Sequence, residues 1–355
     1  MGLQSTASDQ ILFEIDRGFG RIYLNRPKAL NALNLDMVRG CAALLDQWKS
    51  DDRVEAVLIT SLSEKAFCAG GDLRSVHEAY HRKDHAFLEA LFREEYTINY
   101  TMRTYPKPYV ALIDGIAMGG GLGASLHGDL AVVTERAHLA MPEVNIGYFP
   151  DVGAGHFLNQ SSYHQGFYLG LTGNHFGPKE AIDANIAQFY VAHEEIPAIT
   201  DGLLGLKQKD HESIKHYLKS VHKSPGSSEV FSQTNFMEPW FEEEEFSSFW
   251  HQVSQSEHPV ARTMHDILRK RSPLAVVLTW YQLKRCRAQD FKTIMQYEFS
   301  LSRTFINSHD FVEGIRATIV DKDRTPNWKP TSLENVTEKE VKEILNFIDV
   351  PTLSL

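Results

Sequence analysis

The pattern of apolar and polar residues predicts that the chain begins with a β-β-α unit. Residues 11–16 and 21–25 are rich in β-branched and aromatic side chains, and residues 17–20 between them (RGFG) are typical of a turn. Asn34 can then cap a helix. The apolar face of that helix has spacings of three, four and seven residues and consists of Met37, Cys41, Leu44, Leu45 and Trp48.

Further apolar runs predict that strands and helices alternate along the first part of the chain. Residues 56–60, 109–113 and 130–133 are typical of buried strands, and residues 139–141 of an extended segment. A long helical pattern runs from about residue 73 to 104. Because strands that alternate with helices favour parallel pairing, the sequence predicts an α/β fold.

The composition changes after residue 206, which predicts a second domain. Residues 223–236 (KSPGSSEVFSQTNF) are rich in turn-forming side chains, and helical periodicity dominates residues 259–307. We therefore predict a core over residues 1–206 and a mainly helical region over residues 207–355.

The charge balance excludes nucleic acid and anionic membranes as main partners. The 355 residues carry a net charge of −10, which repels phosphate groups unless one basic patch stands out. Hydrophobic residues make up 43% of the chain and charged residues 23%, the balance of a globular protein rather than a disordered or membrane protein.

The cysteines and the N-terminal residues predict a cytoplasmic protein. Cys41, Cys68 and Cys286 are too few and too scattered for a disulfide framework or a cysteine-rich metal site. The first ten residues (MGLQSTASDQ) show no basic segment followed by an apolar run, and no stretch approaches the roughly 20 apolar residues that cross a bilayer.

Two glycine-rich segments lie where a predicted strand leads into a helix. Residues 68–72 (CAGGD) allow a ligand to approach the backbone and leave the first helical N–H groups available, although a plain tight turn explains them equally well. Residues 118–123 (MGGGLG) favour the approach of a ligand more strongly, because three consecutive glycines are entropically unfavourable in a simple connection. A dinucleotide site would need an acid about 20 residues further on, and Glu135 and Glu143 both fit that spacing poorly.

Two carboxylates in an apolar, proline-containing segment are candidates for acid–base chemistry. Glu143 and Asp151 lie within residues 141–153 (MPEVNIGYFPDVG), where burial would raise their pKa values. The alternative is a pair of acids that cap turns.

The segment from His77 to His81 (HEAYH) matches the H-E-x-x-H motif of zinc hydrolases, in which two histidines share one helical face and the glutamate, here Glu78, serves as base. Its neighbours, which include Arg74 and Arg82, are strongly polar, whereas a zinc helix normally packs an apolar face. The chain contains 16 histidines, and we interpret this match as a coincidence on the surface.

Four motifs in register resemble the crotonase (enoyl-CoA hydratase/isomerase) superfamily: residues 24–33 (LNRPKALNAL), residues 66–72 (AFCAGGD), the run from Gly115 to Gly121, and Pro142-Glu143. The resemblance implies a crotonase-like spiral of ββα units with a helical C-terminal region. Within that superfamily the chain is most similar to the 3-hydroxyisobutyryl-CoA hydrolases. That closer likeness rests on residues 92–96 (FREEY), 125–128 (SLHG), 149–153 (FPDVG), 310–317 (DFVEGIRA) and 321–330 (DKDRTPNWKP).

The resemblance also implies roles for individual residues. The backbone N–H groups of Gly71 and Gly120 would form an oxyanion hole for a thioester carbonyl. Glu143 would be the principal catalytic carboxylate, acting either as nucleophile or as general base. Glu95 and Asp151 would line the acyl pocket.

One position separates hydrolysis from hydration. Hydratases that resemble this chain carry a glutamate two residues after the glycine triplet, where this chain has Gly123, and they have a small residue where it has Asp151. We therefore expect a thioester hydrolase for a short 3-hydroxyacyl-CoA, with 3-hydroxyisobutyryl-CoA of valine degradation as substrate. An enoyl-CoA hydratase or isomerase, a zinc hydrolase using His77 and His81, and a non-catalytic CoA-binding scaffold remain open.

The remaining expectations concern binding and assembly. By family position Lys28 and Arg74 would contact the CoA phosphates or adenine, although both could equally be ordinary exposed cations. His127 is expected to be structural rather than a base. The resemblance implies that no metal or redox cofactor is needed, since coenzyme A belongs to the substrate, and that the chain forms a homo-oligomer, a trimer or a multiple of one.

Overall fold

A computed structural model describes residues 2–160, 162–346 and 353–355. The chain forms two compact units, each assembled from separate stretches of sequence. The first consists of Met1–Gly71, Glu94–Leu139 and Phe176–Ser227, and the second of Asp72–Arg93, Ala140–His175 and Ser228–Leu355. The predicted boundary at residue 206 follows the change in composition and stays a prediction, since these units are defined by contacts and run across it.

The strands form one large and one small sheet. The strands are β1 (Gln4–Ser5), β2 (Ile11–Asp16), β3 (Phe19–Leu24), β4 (Ala56–Ser61), β5 (Ala66–Cys68), β6 (Tyr109–Ile113), β7 (Ile116–Met118), β8 (Leu130–Val133), β9 (His138–Ala140) and β10 (Phe189–Tyr190). The seven-stranded sheet has the order β1-β2-β3-β4-β6-β8-β10, and the three-stranded sheet the order β5-β7-β9.

Both units contain α-helices, which are numbered here in chain order. They are α1 (Leu35–Lys49), α2 (Leu73–Arg82), α3 (His85–Arg103), α4 (Gly120–Gly123), α5 (Ala154–Phe157), α6 (Tyr163–Thr172), α7 (Pro178–Asp183), α8 (Ile196–Leu204), α9 (His211–Val221), α10 (Glu229–Thr234), α11 (Glu238–Glu242), α12 (Phe246–Gln255), α13 (Pro259–Leu268), α14 (Pro273–Cys286), α15 (Phe291–Phe305), α16 (His309–Ile315) and α17 (Glu338–Asn346).

The large sheet of the first unit confirms the predicted α/β fold. Its strands β3, β4, β6, β8 and β10 pair in parallel, whereas β1, β2 and β3 pair antiparallel. The predicted hairpin forms between β2 and β3, but β3 begins two residues before the predicted start, because Phe19 already pairs with Asp16. Arg17 and Gly18, both with positive φ, make the turn.

Helix α1 of the first unit buries the apolar face that its periodicity predicts, with Met37, Cys41, Leu44, Leu45 and Trp48 all buried. The side chain of Asn34 caps α1 by accepting a hydrogen bond from Met37 N at 3.0 Å. A methyl group on Gly20 of β3 would lie 2.5 Å from the Trp48 ring, so α1 packs directly on the sheet. The apolar side chains of β4, β6 and β8 pack with those of α8 and α9 in one continuous core.

The second unit is mainly helical. The prediction of one long helix over residues 73–104 is wrong in one respect, since this stretch is divided into α2 and α3. Helix α2 ends because Lys83 adopts a left-handed conformation with φ 57°. The side chain of Asp84 then accepts a hydrogen bond from Phe87 N at 3.1 Å and starts the next helix. The helical periodicity of residues 259–307 is confirmed by α13, α14 and α15.

Two aromatic clusters form the core of the second unit. One gathers around Trp280 and includes Phe241, Phe249 and Phe167. In the other, Tyr148 stacks on Phe149 and lies tilted against Phe311 of α16, with ring centroids 4.5 and 4.7 Å apart, respectively. Among the described residues, no helix is both long enough and apolar enough to span a bilayer.

Candidate active site

The two predicted glycine loops of the first unit lie side by side. The strands that lead into them, β5 and β7, pair in parallel, so their carboxyl ends meet at one edge of the small sheet. A methyl group on Gly121 would collide with the carbonyl group of Cys68. This contact explains why Gly121 has no side chain, because the backbones of the two loops approach each other directly.

Gly71 and Gly120 bring two backbone N–H groups together. A methyl group on Gly120 would lie 3.4 Å from the nitrogen of Gly71, and a methyl group on Gly70 would lie 3.8 Å from the nitrogen of Gly120. Gly70 has φ 103°, a conformation that favours glycine, and its carbonyl accepts a hydrogen bond from Leu33 N at 2.7 Å. The loops therefore present two neighbouring donors, as an oxyanion hole requires.

Gly120 is also the first residue of α4, which contributes to this arrangement. The first N–H groups of a helix have no acceptor within the helix, and the helix dipole makes that end electropositive. The preceding residue, Gly119, has φ 48° and turns the chain from β7 into the helix. Stabilisation of a developing oxyanion by these groups stays a prediction.

Glu95 lies against the same glycine. Its Oε1 atom occupies the space that a side chain on Gly120 would need, and Glu95 is 5% exposed. The structure thus brings Glu95, Gly71 and Gly120 together within the first unit. Their catalytic and binding roles stay predictions.

In the second unit, Glu143 begins a short 3-10 helix, Glu143–Ile146, directly after Pro142. Glu143 is 6% exposed, so its carboxylate is shielded from bulk water. Gly147 ends the helix in a left-handed conformation with φ 70°, and its N–H donates to the carbonyl of Glu143.

The C-terminal helices hold this turn in place. Methyl groups on Gly147 and Gly314 would collide with the backbones of Asp310 and Ile146, respectively, so α16 packs on the turn without intervening side chains. Ser272 N also donates to Val144 O at 3.1 Å.

The buried carboxylate of Asp310 connects α16 to the start of α14 and to the segment that follows α16. It is 2% exposed and accepts hydrogen bonds from Ser272 Oγ at 2.7 Å and from Lys329 N at 2.8 Å. Residues far along the sequence therefore determine the place of Glu143.

Asp151 lies in a second, sharper turn of the same unit. It is 7% exposed, and its carbonyl accepts a hydrogen bond from Ala154 N at 2.9 Å. Val152 has φ 52° and Gly153 φ 87°, so two consecutive residues are left-handed before α5 begins. Such a conformation is unfavourable for a β-branched residue and persists only where the surroundings fix it.

Sequence reasoning missed Glu298, which binds this turn. Its carboxylate accepts hydrogen bonds from Gly153 N and Gly155 N. Burial raises the pKa of Glu298 to about 8, and the neighbouring Asp151 acts in the same direction. The signal that could have found it is an acid on the apolar face of a helix, since Ile294, Glu298, Leu301 and Phe305 share one face of α15.

The other predicted residues lie on the surface. Lys28 is exposed in the short 3-10 helix Pro27–Ala29, and Arg74 is exposed on α2, where its Nη2 donates to Ile319 O at 3.4 Å. Contacts of either residue with CoA stay a prediction. His77 and His81 are neighbours on α2, with 3.1 Å between their Nε2 atoms. Throughout the described part of the chain, no group of three or more His, Cys, Asp or Glu side chains could hold a metal ion.

Comparison with known proteins assigns the chain to a family. The family model described as enoyl-CoA hydratase/isomerase matches residues 19–345. The chain belongs to this family. The superfamily resemblance predicted from the four motifs is thereby confirmed.

Individual relatives cover nearly the whole chain. It is 37% identical to "3-hydroxyisobutyryl-CoA hydrolase, mitochondrial" of Danio rerio over 99% of this chain and 94% of that protein.

Two solved structures share the fold, and both are 33% identical with a TM-score of 0.87. One is a carnitinyl-CoA dehydratase from Mycobacterium thermoresistibile, covering 95% of this chain and 96% of that one. The other is an enoyl-CoA hydratase from Rhodobacter sphaeroides, covering 98% and 100%. They confirm the predicted crotonase fold with its helical C-terminal region.

Proposed function

We propose that this protein hydrolyses the thioester of a short 3-hydroxyacyl-CoA, and that 3-hydroxyisobutyryl-CoA, an intermediate of valine degradation, is its substrate. The observation that carries the proposal is the match, over almost the full length of both chains, to a protein named for this reaction. The buried carboxylates Glu143 and Asp151 and the paired N–H groups of Gly71 and Gly120 supply the groups that such a hydrolysis needs.

The reaction divides into polarisation, attack and departure. The N–H groups of Gly71 and Gly120 stabilise the negative charge that develops on the thioester oxygen. Glu143 either attacks the carbonyl carbon itself or removes a proton from the water that attacks it. The C–S bond then breaks, and the CoA thiolate leaves and takes up a proton. Where Glu143 is the nucleophile, the acyl group is left on Glu143 as an anhydride, which water hydrolyses to release the acid and restore the carboxylate. Where Glu143 is the base, the acid forms directly and Glu143 gives up the proton that it took from water.

Asp151 and Glu95 act on the acyl group in this proposal. Asp151 either orients the 3-hydroxyl group or handles the proton that the leaving thiolate receives, and Glu95 lines the acyl pocket. Lys28 and Arg74 bind the phosphates or the adenine of CoA. No redox cofactor takes part, because hydrolysis needs neither an oxidant nor a reductant, and the proposed steps assign no role to a metal ion.

Hydration or dehydration is the second candidate, since both solved relatives are named for such reactions. It is disfavoured by Gly123, a buried residue of α4 at the position where hydratases of this superfamily carry a second glutamate. Without that acid, the pair of carboxylates that adds water to a double bond is incomplete.

Incubation with a panel of acyl-CoAs tests the proposal. Free thiol and the absorbance of an enoyl thioester are recorded separately for 3-hydroxyacyl, plain acyl and enoyl esters. Thiol release that is fastest with a branched 3-hydroxyacyl ester supports the proposal. A change in absorbance without thiol supports the second candidate.

The compartment and the assembly are also proposals. Three buried free cysteines fit a reducing compartment, and we propose the cytoplasm, although the Danio rerio relative is named mitochondrial. We further propose a homo-oligomer, a trimer or a multiple of one. Cell fractionation and sedimentation equilibrium, respectively, test these two statements.

A further inference from the structure

The buried face of α15 carries a carboxylate that the proposed reaction leaves unused. Glu298 is completely buried, and its neighbours on that face, Ile294, Leu301 and Phe305, are apolar and at most 2% exposed. An acid in such surroundings is unfavourable unless its oxygens are well hydrogen-bonded. Packing alone therefore does not account for a glutamate at this position.

Both oxygens of Glu298 bind the backbone of the turn that follows Asp151. Gly153 N donates to Oε2 at 2.7 Å, and Gly155 N donates to Oε1 at 2.8 Å. One residue, Ala154, separates the two donors, and the left-handed Gly153 turns the chain into α5 between them. A single side chain thus fixes the segment on the C-terminal side of Asp151.

Gln282 of α14 extends the network to the residue before Asp151. Its Nε2 donates to Pro150 O at 2.6 Å and to Glu298 Oε1 at 3.3 Å. The backbone is consequently held on both sides of Asp151 by two buried side chains that contact each other. This double attachment accounts for the unfavourable φ of Val152.

The turn packs closely against the side chains of Cys286 and Glu298. A methyl group on Gly155 would lie 2.7 Å from Cys286 Sγ and 3.0 Å from Glu298 Oε1. The nearby charge of Asp151 also contributes to the raised pKa of Glu298. Asp151 and Glu298 are therefore linked by both backbone geometry and charge.

We propose that Glu298 is a positioning residue for Asp151, because its two oxygens fix the turn that carries that side chain. This inference rests on the proposed function, in which Asp151 acts on the 3-hydroxyacyl group. Glu298 itself contacts neither substrate nor the reacting atoms in this account.

The test compares Glu298→Gln with Ser302→Ala. The glutamine keeps the volume of the side chain but places an amide NH2 group, which cannot accept, against the N–H of Gly153 or Gly155. We expect kcat for thiol release to fall by about 100-fold, with little change in KM, because a small displacement of a catalytic group is enough. Ser302 is equally buried one turn further along α15, and among the described residues its hydroxyl has no hydrogen-bond partner, so Ser302→Ala should keep the wild-type kcat.

Two further measurements separate positioning from a general loss of structure. Hydrogen–deuterium exchange of the segment 150–157 should be faster in Glu298→Gln than in wild type or Ser302→Ala, while exchange in β6 stays unchanged. In a double-mutant cycle, Asp151→Asn combined with Glu298→Gln should lose no more kcat than Asp151→Asn alone, since Glu298 acts through Asp151.

If Glu298→Gln does not fold, Gln282→Met carries the same test, because it removes the Nε2 donor to Pro150 O and to Glu298 at similar volume. Wild-type exchange of the segment, or kcat losses that multiply in the double variant, would overturn the proposal. If wild-type protein releases no thiol from any acyl-CoA, the proposed function fails, and the exchange comparison still decides whether Glu298 fixes the turn.

Discussion

The backbone nitrogen of Gly71 lies 3.4 Å from the point at which a side chain on Gly120 would begin. Two loops that are distant in sequence thus place their N–H groups next to each other, and Glu95 Oε1 occupies the remaining space beside Gly120. Any side chain on Gly120 therefore displaces the Glu95 carboxylate. Two substitutions of Gly120 that both displace Glu95, of which only one removes the N–H group, separate the effect of the lost N–H donor from that of the displaced carboxylate.

Gly120→Ala and Gly120→Pro form a matched pair for this purpose. Both variants force Glu95 to move, but only proline also removes the N–H group, and proline is tolerated at the first position of a helix. We expect kcat for the proline variant to be lower than that of the alanine variant by about 100- to 1000-fold, the usual effect of losing one oxyanion donor. Equal rates in two folded variants would show that the N–H of Gly120 does not bind the oxyanion.

Asp151→Asn tests whether the carboxylate recognises the 3-hydroxyl group. The amide keeps the size of the side chain and removes its ability to exchange a proton. For a 3-hydroxyacyl-CoA we expect kcat to fall by about 100-fold or more, the range for loss of acid–base catalysis. The loss should be smaller for a plain acyl-CoA of the same length. Equal losses for both esters would restrict Asp151 to the leaving thiolate, and wild-type rates for both would remove it from the reaction.

Metal removal tests whether the histidine pair on α2 takes part. His77 and His81 are adjacent, but among the described residues no third ligand accompanies them. We expect purified protein to contain far less than one zinc ion per chain and to keep its activity in a strong chelator. The His77→Ala variant should behave like wild type. Stoichiometric zinc together with turnover that is lost in chelator would contradict the thioesterase assignment.

The stability of the protein should depend on pH through Glu298. Burial raises its pKa from the ordinary 4.5 to about 8 in the folded chain, where the charge of Asp151 acts in the same direction and the Cys286 thiol is a second titratable neighbour. Folding therefore favours the protonated form, and this contribution to stability is full below about pH 4.5 and is lost as the pH rises towards 8.

Thermal unfolding of wild type and Glu298→Gln between pH 5 and 8 measures this effect. The glutamine does not titrate, so the melting temperature of the variant should rise relative to that of wild type as the pH increases. A difference in melting temperature that is constant across this range would show that the pKa of Glu298 is not raised by folding.

Much of the fold was predictable because its strands are continuous apolar runs. The bounds of β6 and β8 agree with the predicted residues 109–113 and 130–133, since a strand buried on both faces differs sharply from its polar surroundings. The break between α2 and α3 was missed. It lies in the polar run from His81 to His85, where no apolar position interrupts or supports a helical period, and where Asp84 caps the second helix.

The sequence predicted the candidate site residues themselves, but not the residues that hold their turns in place. Glycines at strand ends and acids in an apolar segment are local signals, and they indicated Gly71, Gly120, Glu143 and Asp151. Glu298 accepts hydrogen bonds from backbone groups of a turn more than a hundred residues before it, and the backbone of Asp310 packs directly against Gly147. Neither contact has a signature in the sequence. Such contacts become visible once the helices are packed.

Glu143→Gln is the variant on which the account depends most. The amide cannot serve as nucleophile or as base, but it preserves the volume of a side chain that is 6% exposed. Turnover should therefore be abolished while binding of the CoA ester, measured by calorimetry, changes little. The three cysteines of the protein are buried, so their reaction with a thiol reagent should not mask the CoA that is released.

The most direct measurement is single-turnover thiol release from 3-hydroxyisobutyryl-CoA by wild type and Glu143→Gln, with enoyl absorbance recorded in the same sample. The account predicts one CoA thiol per active site for wild type, none for the variant, and no change in absorbance for either. Thiol release by Glu143→Gln at the wild-type rate, or a change in absorbance without thiol release, would contradict it.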